Sequence, residues 1–316
     1  MRAYLIDKNS NEYELCKLLS WDICHGTGES CDYFEISALF DSTMLTYLEN
    51  AVRFRAENGN DTVFYGVVDE YVVSMDEKGA TVTVNGRSLA ALLMDNEVTK
   101  ATYFTMTKAS LVQNFVTPYG IENVAACTLP QQLMFPVRAG DSAWSAVKRF
   151  CLRSGHACPR FSKDGVLLLA ETAGNTVPLN ADSLACAVKY RDKRYGIISQ
   201  ITVTNRASGG SYTLTNDDFV QRGGSCRRYL YTEKLENVIS NPSDIGERFT
   251  GEYQIRCSQA GKHCIEVSVP VQFFCFAGDT VSFRSAALGI TGSFKASATH
   301  CWADSISAGT LITLEV

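Results

Sequence analysis

The sequence predicts a β-rich α+β protein in which two similar β-barrel domains flank an inserted small α+β module. Three observations support this fold class. Alternating or Val-, Phe- and Tyr-rich stretches separated by polar turns dominate both ends of the chain, helical patterns occupy the middle, and one arrangement of strands occurs twice. The predicted domains are residues 1–97, 98–184 and 185–316.

The first domain is expected to be a barrel of short strands. The stretches DYFEISAL, AVRFRA, TVFYGVVDEYVVSM and ATVTVNG have the composition of strands, and ENGND and DEKG have that of turns. Many short strands joined by such turns are typical of a barrel or a sandwich.

The first barrel is expected to end in a strand that leads directly into a short helix, in VNGRSLAALLMDNEV at residues 84–98. Leu89, Leu92 and Leu93 lie at positions i, i+3 and i+4, so one face of this helix is apolar. A helix of about two turns is marginal in water by itself. We therefore expect it to dock on another part of the protein.

The module, residues 98–184, is predicted to contain two amphipathic helices and a hairpin. The first helix carries Leu111, Val112 and Phe115 on one face, and the second is capped by Asp141 or Ser142. The apolar stripe of the second helix consists of Trp144, Val147, Phe150 and Cys151. The hairpin is expected around KDG in PRFSKDGVLLLAE.

The last domain, residues 185–316, is predicted to be the second barrel, with a long helix at about 240–261. Residues 280–316 repeat the layout of residues 51–84 at an offset of about 229 residues. Each copy begins with a V-x-F-R strand, which predicts that Phe54 and Phe283 occupy equivalent positions.

The charge distribution argues against a surface built to bind nucleic acid. The net charge is −5, and residues 1–100 contain 17 acids and 8 bases. Residues 101–184 contain 5 and 7, and residues 185–316 contain 12 and 14. No region has the concentrated positive charge that phosphate contacts require.

The twelve cysteines are expected to be reduced thiols, most of them buried. The N-terminus lacks the apolar segment of an export signal and no stretch has the length of a membrane span, so we expect a soluble protein made in a cytoplasm. Neighbouring His and Cys residues lack CxxC or HExxH spacing. No metal, cofactor or membrane insertion is expected.

The motifs GRSLAALLMDNE and GDSAWSAV with FSKDGVLLL occur in a defined order, followed by YGIISQITVTN, a long helix and a closing stretch that ends GTLITLEV. Over nearly all of its length the chain thereby resembles the baseplate hub proteins of contractile phage tails and tailocins, especially the late-control-protein-D-like type. CRRYL, at residues 226–230, lies where that family often has an Arg-rich strand.

The resemblance implies a homotrimer. Two similar barrels in each of three chains would form a pseudo-six-fold ring that adapts a six-fold tail tube to a three-fold central spike. The implied partners are the tube or tube-initiator protein, the spike and other baseplate proteins, with DNA only as passing cargo. The implied location is a virion or a phage-tail-like particle, made in the bacterial cytoplasm. The candidate interface residues are Phe54, Arg55, Arg87, Arg227, Arg228, Phe283 and Arg284.

Two other functions stay open on the sequence alone. A cell-wall-degrading hub enzyme would need a carboxylate pair, for which Asp69 with Glu70 or Asp217 with Asp218 supply the acids. A carbohydrate-binding β-module would need exposed aromatic platforms. We expect no catalytic residues, because no GxSxG nucleophile motif is present and acids adjacent in sequence are commonly turn or surface residues.

Overall fold

The computed structural model describes residues 1–28, 31–154, 158–184, 186–206, 209–232 and 245–316. It confirms the β-rich α+β class. In this part of the chain, thirteen strands form one continuous sheet that wraps around two separate apolar cores. We call the two halves the first lobe and the second lobe.

The first lobe contains one short helix, α1 (Leu45–Asn50), and seven strands. The strands are β1 (Arg2–Asp7), β2 (Glu12–Glu14), β3 (Leu18–Gly26), β4 (Tyr33–Leu39), β5 (Ala51–Asn58), β6 (Asp61–Asp76) and β7 (Gly79–Ser88). Their order in the sheet is β3-β4-β7-β6-β5-β1-β2. All strands except β2 contribute fully buried or nearly fully buried side chains to one core, so this part of the sheet is curved around that core like a barrel.

The inserted module begins with α2 (Ala90–Met94), which follows β7 almost directly. It continues with β8 (Ala101–Met106), α3 (Lys108–Phe115), β9 (Gln132–Val137), α4 (Ala143–Arg153), β10 (Arg160–Phe161) and β11 (Leu167–Leu168). The docking expected for the short helix is confirmed, because Leu89 and Leu93 are buried in the core of the module. The stripe of α4 is also confirmed, since Trp144, Val147 and Phe150 are buried there.

The remaining elements are β12 (Thr176–Asn180), β13 (Ala187–Asp192), β14 (Gln200–Asn205), β15 (Ser211–Thr215), α5 (Asp217–Gln221), β16 (Arg227–Thr232), α6 (Ile245–Gln259), β17 (His263–Val269), β18 (Thr280–Ser285), β19 (Ile290–Ala303) and β20 (Ala308–Glu315). The long helix expected at about 240–261 corresponds to α6, and residues 240–244 lie outside the described residues. In the second lobe the order is β13-β17-β20-β19, with β18 on β19 and β12 on β18.

The second lobe differs in two ways from the predicted domain at residues 185–316. Strand β12, expected in the inserted module, lies parallel to β18 and contributes Leu179 to the core of the second lobe. Strands β14, β15 and β16 form a separate three-stranded sheet, and Ile255 of α6 packs against its buried Ile201 and Val203. The second lobe is therefore itself interrupted, between β13 and β17.

The internal repeat extends to details of strand pairing. Strands β18, β19 and β20 each begin 229 residues after β5, β6 and β7, and both sets form antiparallel meanders. In each long middle strand the ladder to the next strand shifts by one residue, at Asp69 in β6 and at Ser297 in β19. The match ends at the sheet edge, where β1 is antiparallel to β5 and β12 is parallel to β18.

The two lobes are joined by hydrogen-bonded strands. The C-terminal half of β19 pairs antiparallel with β3, from Ala298 opposite Gly26 to Ala303 opposite Trp21. Phe273 and Phe276, which precede β18, pack against the core of the first lobe. We call this β3–β19 contact the lobe seam. No helix among the described residues is long and apolar enough to span a membrane.

Candidate assembly surface

Two of the seven candidate interface residues are core residues, so this expectation was wrong for them. Phe54 and Phe283 are 0% exposed, and each is the fourth residue of its strand. Phe54 stacks on Phe34 with ring centroids 3.7 Å apart, and Phe283 meets Phe294 edge-on at 6.4 Å. Each side chain packs inside the core of its own lobe and does not reach a neighbouring molecule.

Arg55 is paired within its own chain. Its guanidinium donates two hydrogen bonds to the carboxylate of Glu12, at 2.6 and 2.8 Å, and its Nε lies 3.1 Å from Glu57. The guanidinium carbon also lies 4.9 Å from the ring centroid of Tyr4. These contacts link β2, β5 and β1 at the outer edge of the first lobe.

Arg87 connects the register shift of β6 to the start of the module. Its guanidinium bonds both carboxylate oxygens of Asp69, at 2.6 and 2.9 Å, and both oxygens of Asp95, at 2.7 and 3.2 Å. Close strand approach allows this geometry, because a Cβ at Gly66 or Gly86 would collide with a carbonyl oxygen of the opposing strand. Both carboxylates that Arg87 contacts belong to its own chain.

Arg227, Arg228 and Arg284 are exposed. Arg284 lies on β18, beside the edge strand β12. Arg227 and Arg228 lie on β16 in the separate three-stranded sheet, opposite Gln200 and Ile201. This placement puts the Arg-rich segment on a different sheet from the two lobes.

Comparison of the two lobes identifies two strand edges that no described strand pairs with. These edges could not be predicted from the sequence. The first half of β6 pairs with β5, as the first half of β19 pairs with β18. The second half of β19 then pairs with β3, but along residues 70–76 of β6 no described strand occupies the corresponding edge. Strand β13, the counterpart of β3 in the second lobe, pairs only with β17 in the described part of the chain.

These two edges are apolar and opposite in charge. On the β6 edge, Val72, Val73 and Met75 are exposed, Met75 by 84%, and Glu70 and Asp76 are acidic. On β13, Tyr190 is half exposed, Lys189 and Arg191 are basic, and Asp192 at the end of the strand is acidic. Arg191 also forms an ion pair with Glu266 at 2.6 Å. Long apolar edges of this kind pair readily with another strand unless they are covered.

The acids that were considered as catalytic residues contribute to the structure instead. Asp69 is held by Arg87, and Glu70 accepts a hydrogen bond from Asn85 at 3.2 Å. Asp217 and Asp218 lie in the first turn of α5, where a negative charge stabilises a helix. Neither pair has the two carboxylates facing each other across a cleft that glycoside hydrolysis requires.

A second group of side chains meets at the lobe seam. Asp22 and Cys24 on β3 and His300 on β19 place a carboxylate oxygen, a thiol and a ring nitrogen within 4.8 Å of one another. His25, the sequence neighbour of Cys24, points into the protein and its Nδ1 lies 3.4 Å from Asp32. Cys24 and His300 lie opposite each other only because the two lobes pair.

All twelve cysteines are free thiols, with no disulfide among them. Burial raises the pKa of the Cys24 thiol to about 11, and the charge of Asp22 acts in the same direction. Burial also raises the pKa of Cys151 and Cys275, each to about 12. These thiols are therefore neutral at physiological pH.

No protein-family model and no curated protein matches the sequence. Solved structures do match. The chain is similar to a tail protein from Neisseria meningitidis, with a TM-score of 0.76 and 13% identity over 99% of this chain and 95% of that one. It is also similar to a prophage tail protein from Shewanella oneidensis, with a TM-score of 0.77 and 14% identity over 99% and 98%.

A more distant match is a type VI secretion component from Escherichia coli described as similar to bacteriophage T4 tail proteins. Its TM-score is 0.56 at 10% identity, over 95% of this chain and 73% of that one. At such identities the similarity establishes the fold. The chain therefore has the fold of phage tail proteins, which agrees with the architecture that the resemblance implied.

Proposed function

We propose that this chain is a structural hub of a phage tail or phage-tail-like particle and that three copies close into a ring of six lobes. The observation that carries the proposal is the lobe seam. Within one chain, the long strand of the second lobe pairs with an edge of the first lobe. The corresponding strands β6 and β13 have free edges in the described residues, so each chain presents one of each kind.

A contact between β6 of one copy and β13 of the next would repeat the lobe seam between chains. Such a contact joins different surfaces of successive subunits, and a rotation that closes makes a ring. With two lobes per chain, three chains supply six similar positions. This number suits an adaptor between a six-fold tail tube and a three-fold spike, with other baseplate proteins around it and DNA only passing through.

Charge and apolar burial have separate roles in this contact. Exposed ion pairs contribute only about 0 to 1 kcal/mol each. Burial of Val72, Val73, Met75 and Tyr190, at about 25 cal/mol per Å² of apolar surface, supplies more of the association free energy. The acidic β6 edge and the basic β13 edge then favour the correct register and oppose contact between like edges.

Two observations support a structural role without catalytic activity. The chain shares its fold with tail proteins, and the acids considered as catalytic residues make structural contacts instead. Cell-wall degradation and carbohydrate binding receive no comparable support from the site. The proposed location is a virion or tail-like particle.

The test is the mass of the purified chain in native mass spectrometry and sedimentation, compared with that of an edge variant. Val73→Lys adds a charge to the exposed β6 edge, where Val73 is 39% exposed and is not one of the residues of the lobe core. The matched control is Phe104→Lys, on β8 of the module, where the side chain is 80% exposed.

We expect trimers of the parent chain and of the control, and monomers of Val73→Lys with an unchanged circular dichroism spectrum. Equal masses for the control and the edge variant at every concentration would overturn the proposed interface. A stable dimer or tetramer of the parent chain would overturn the proposed ring.

A further inference from the structure

The cluster at the lobe seam lies on the face of the sheet opposite the core of the first lobe. Ile23 is buried in that core, so its neighbours Asp22 and Cys24 on β3 point the other way. Cys24 lies directly opposite His300 across the seam. Three side chains from two lobes therefore converge on one side of the sheet.

The three donor atoms lie close to one another. The Nε2 atom of His300 lies 2.9 Å from Oδ1 of Asp22, and Sγ of Cys24 donates a hydrogen bond to the same oxygen at 3.8 Å. Yet Nε2 is buried and makes no hydrogen bond with any described residue. The nitrogen and the oxygen are therefore close together without the geometry of a hydrogen bond.

These distances approach the edges of a tetrahedral zinc site. With Zn–S of about 2.3 Å and Zn–N and Zn–O of about 2.0 to 2.1 Å, tetrahedral angles separate sulfur from nitrogen or oxygen by about 3.5 Å and nitrogen from oxygen by about 3.3 Å. The ligand atoms would need to move by only a few tenths of an ångström to a little over one. We propose that Asp22, Cys24 and His300 bind one Zn²⁺ ion at the lobe seam.

The donor set selects the metal. One thiolate, one imidazole and one carboxylate suit Zn²⁺, whereas Mg²⁺ and Ca²⁺ require oxygen ligands. Thiolate and carboxylate together balance the charge of the ion. His300 lines two adjoining depressions of about 420 and 380 Å³, which give the ion a path from solvent and leave a fourth position for water.

The bound ion would join β3 of the first lobe to β19 of the second. It would add three metal–ligand bonds, two from β3 and one from β19, to a contact otherwise made by strand hydrogen bonds and apolar packing. The site lies within one chain, so it is independent of the proposed ring.

The first experiment titrates the metal-free full chain with Zn²⁺ by calorimetry and with Co²⁺ by absorption, at pH 8. We expect a thiolate-to-cobalt charge-transfer band and one more high-affinity equivalent in the parent chain than in Cys24→Ser, His300→Asn or Asp22→Asn. Cys16→Ser is the control, because that thiol is exposed and does not belong to the cluster. Melting midpoints in chelator establish that each variant folds. Unchanged stoichiometry and band in all three variants would overturn the proposal.

A second experiment uses the parent chain alone and so does not depend on how the variants fold. Zinc-edge X-ray absorption at one equivalent should show one sulfur ligand together with two or three nitrogen or oxygen ligands. A shell of several sulfurs would place the ion at other cysteines, and a shell without sulfur would exclude Cys24. Either result would contradict the proposed site.

Discussion

Asp69 and Ser297 are the residues at which the long middle strand of each lobe shifts register by one against the strand that follows, and they lie 228 residues apart, one less than the 229-residue repeat. Their contacts differ. Asp69 is bonded by Arg87, whereas the hydroxyl of Ser297 donates to the carbonyl oxygen of Thr313 at 3.2 Å. A shared backbone irregularity with different side-chain solutions is what a duplicated and diverged lobe would show.

The Arg87 bridge should contribute measurably to stability. We expect Arg87→Met to lower the free energy of unfolding by about 1 kcal/mol, because two half-exposed carboxylates lose a bidentate partner. Urea denaturation followed by circular dichroism measures the effect. Arg227→Met, at an exposed position on β16, is the control and should change the midpoint little. A control as damaging as Arg87→Met would contradict the assigned role.

The two core phenylalanines should be equally important to their lobes. Phe54→Ala and Phe283→Ala should each cost about 3 to 5 kcal/mol, because each leaves a cavity at a fully buried site. Phe104→Ala removes the same ring from a position that is 80% exposed and should cost little. Thermal unfolding of the three variants compares them. A small effect at either buried position would show that the lobe cores are not as described.

Asp141 should give a pH-dependent contribution to stability. Arg149 bonds both oxygens of its carboxylate, at 2.7 and 2.9 Å, and this contact holds the pKa of Asp141 below its usual range. A lowered pKa means that the stabilisation is present above the unfolded-state pKa of about 3.9 and is lost as the pH falls through the folded-state pKa.

We therefore expect Asp141→Asn to be less stable than the parent chain by about 1 to 3 kcal/mol at pH 7, with the difference shrinking below about pH 4. Asp164→Asn, at a half-exposed carboxylate beside Lys163, is the matched control. Denaturation at a series of pH values makes the comparison. A difference between Asp141→Asn and the parent chain that does not vary with pH would refute the ion-pair explanation.

Charge reversal on β13 should weaken assembly without abolishing folding. If the acidic β6 edge of one copy faces β13 of the next, Lys189→Glu should raise the dissociation constant of the ring about tenfold, and added salt should reduce the difference. Lys100→Glu makes the same change at an exposed site in the module. Sedimentation equilibrium measures both. Equal dissociation constants for the two variants would show that the charge on β13 does not contribute to the interface.

Features that depend on neighbours in sequence were predictable. The strand alternation and the stripe of α4 are local patterns, and the 229-residue repeat is a match between two such patterns; the structure reproduces all three. The cap expected at Asp141 or Ser142 is formed by Ser142, whose hydroxyl accepts from the backbone N–H of Ser145. Such patterns can be recognised in the sequence because the helix and strand periods are properties of a single segment.

Features that depend on distant pairing were not predictable. The parallel contact of β12 with β18 joins residues 104 apart, and Cys24 meets His300 across the whole chain. The sequence predicts Phe54 and Phe283 as interface residues, whereas both are core residues. An apolar side chain on a strand suits a core and an interface equally well. Only the register of the sheet distinguishes the two.

Hydrogen–deuterium exchange of the assembled particle against dilute monomer tests the central claim most directly, because strand pairing between copies must protect particular backbone amides. The account predicts that amides at residues 70–76 of β6 and 187–192 of β13 exchange several-fold more slowly in the assembly, while those at residues 227–231 of β16 do not change. Unchanged exchange along β6 and β13 in a particle shown to contain three copies would contradict it.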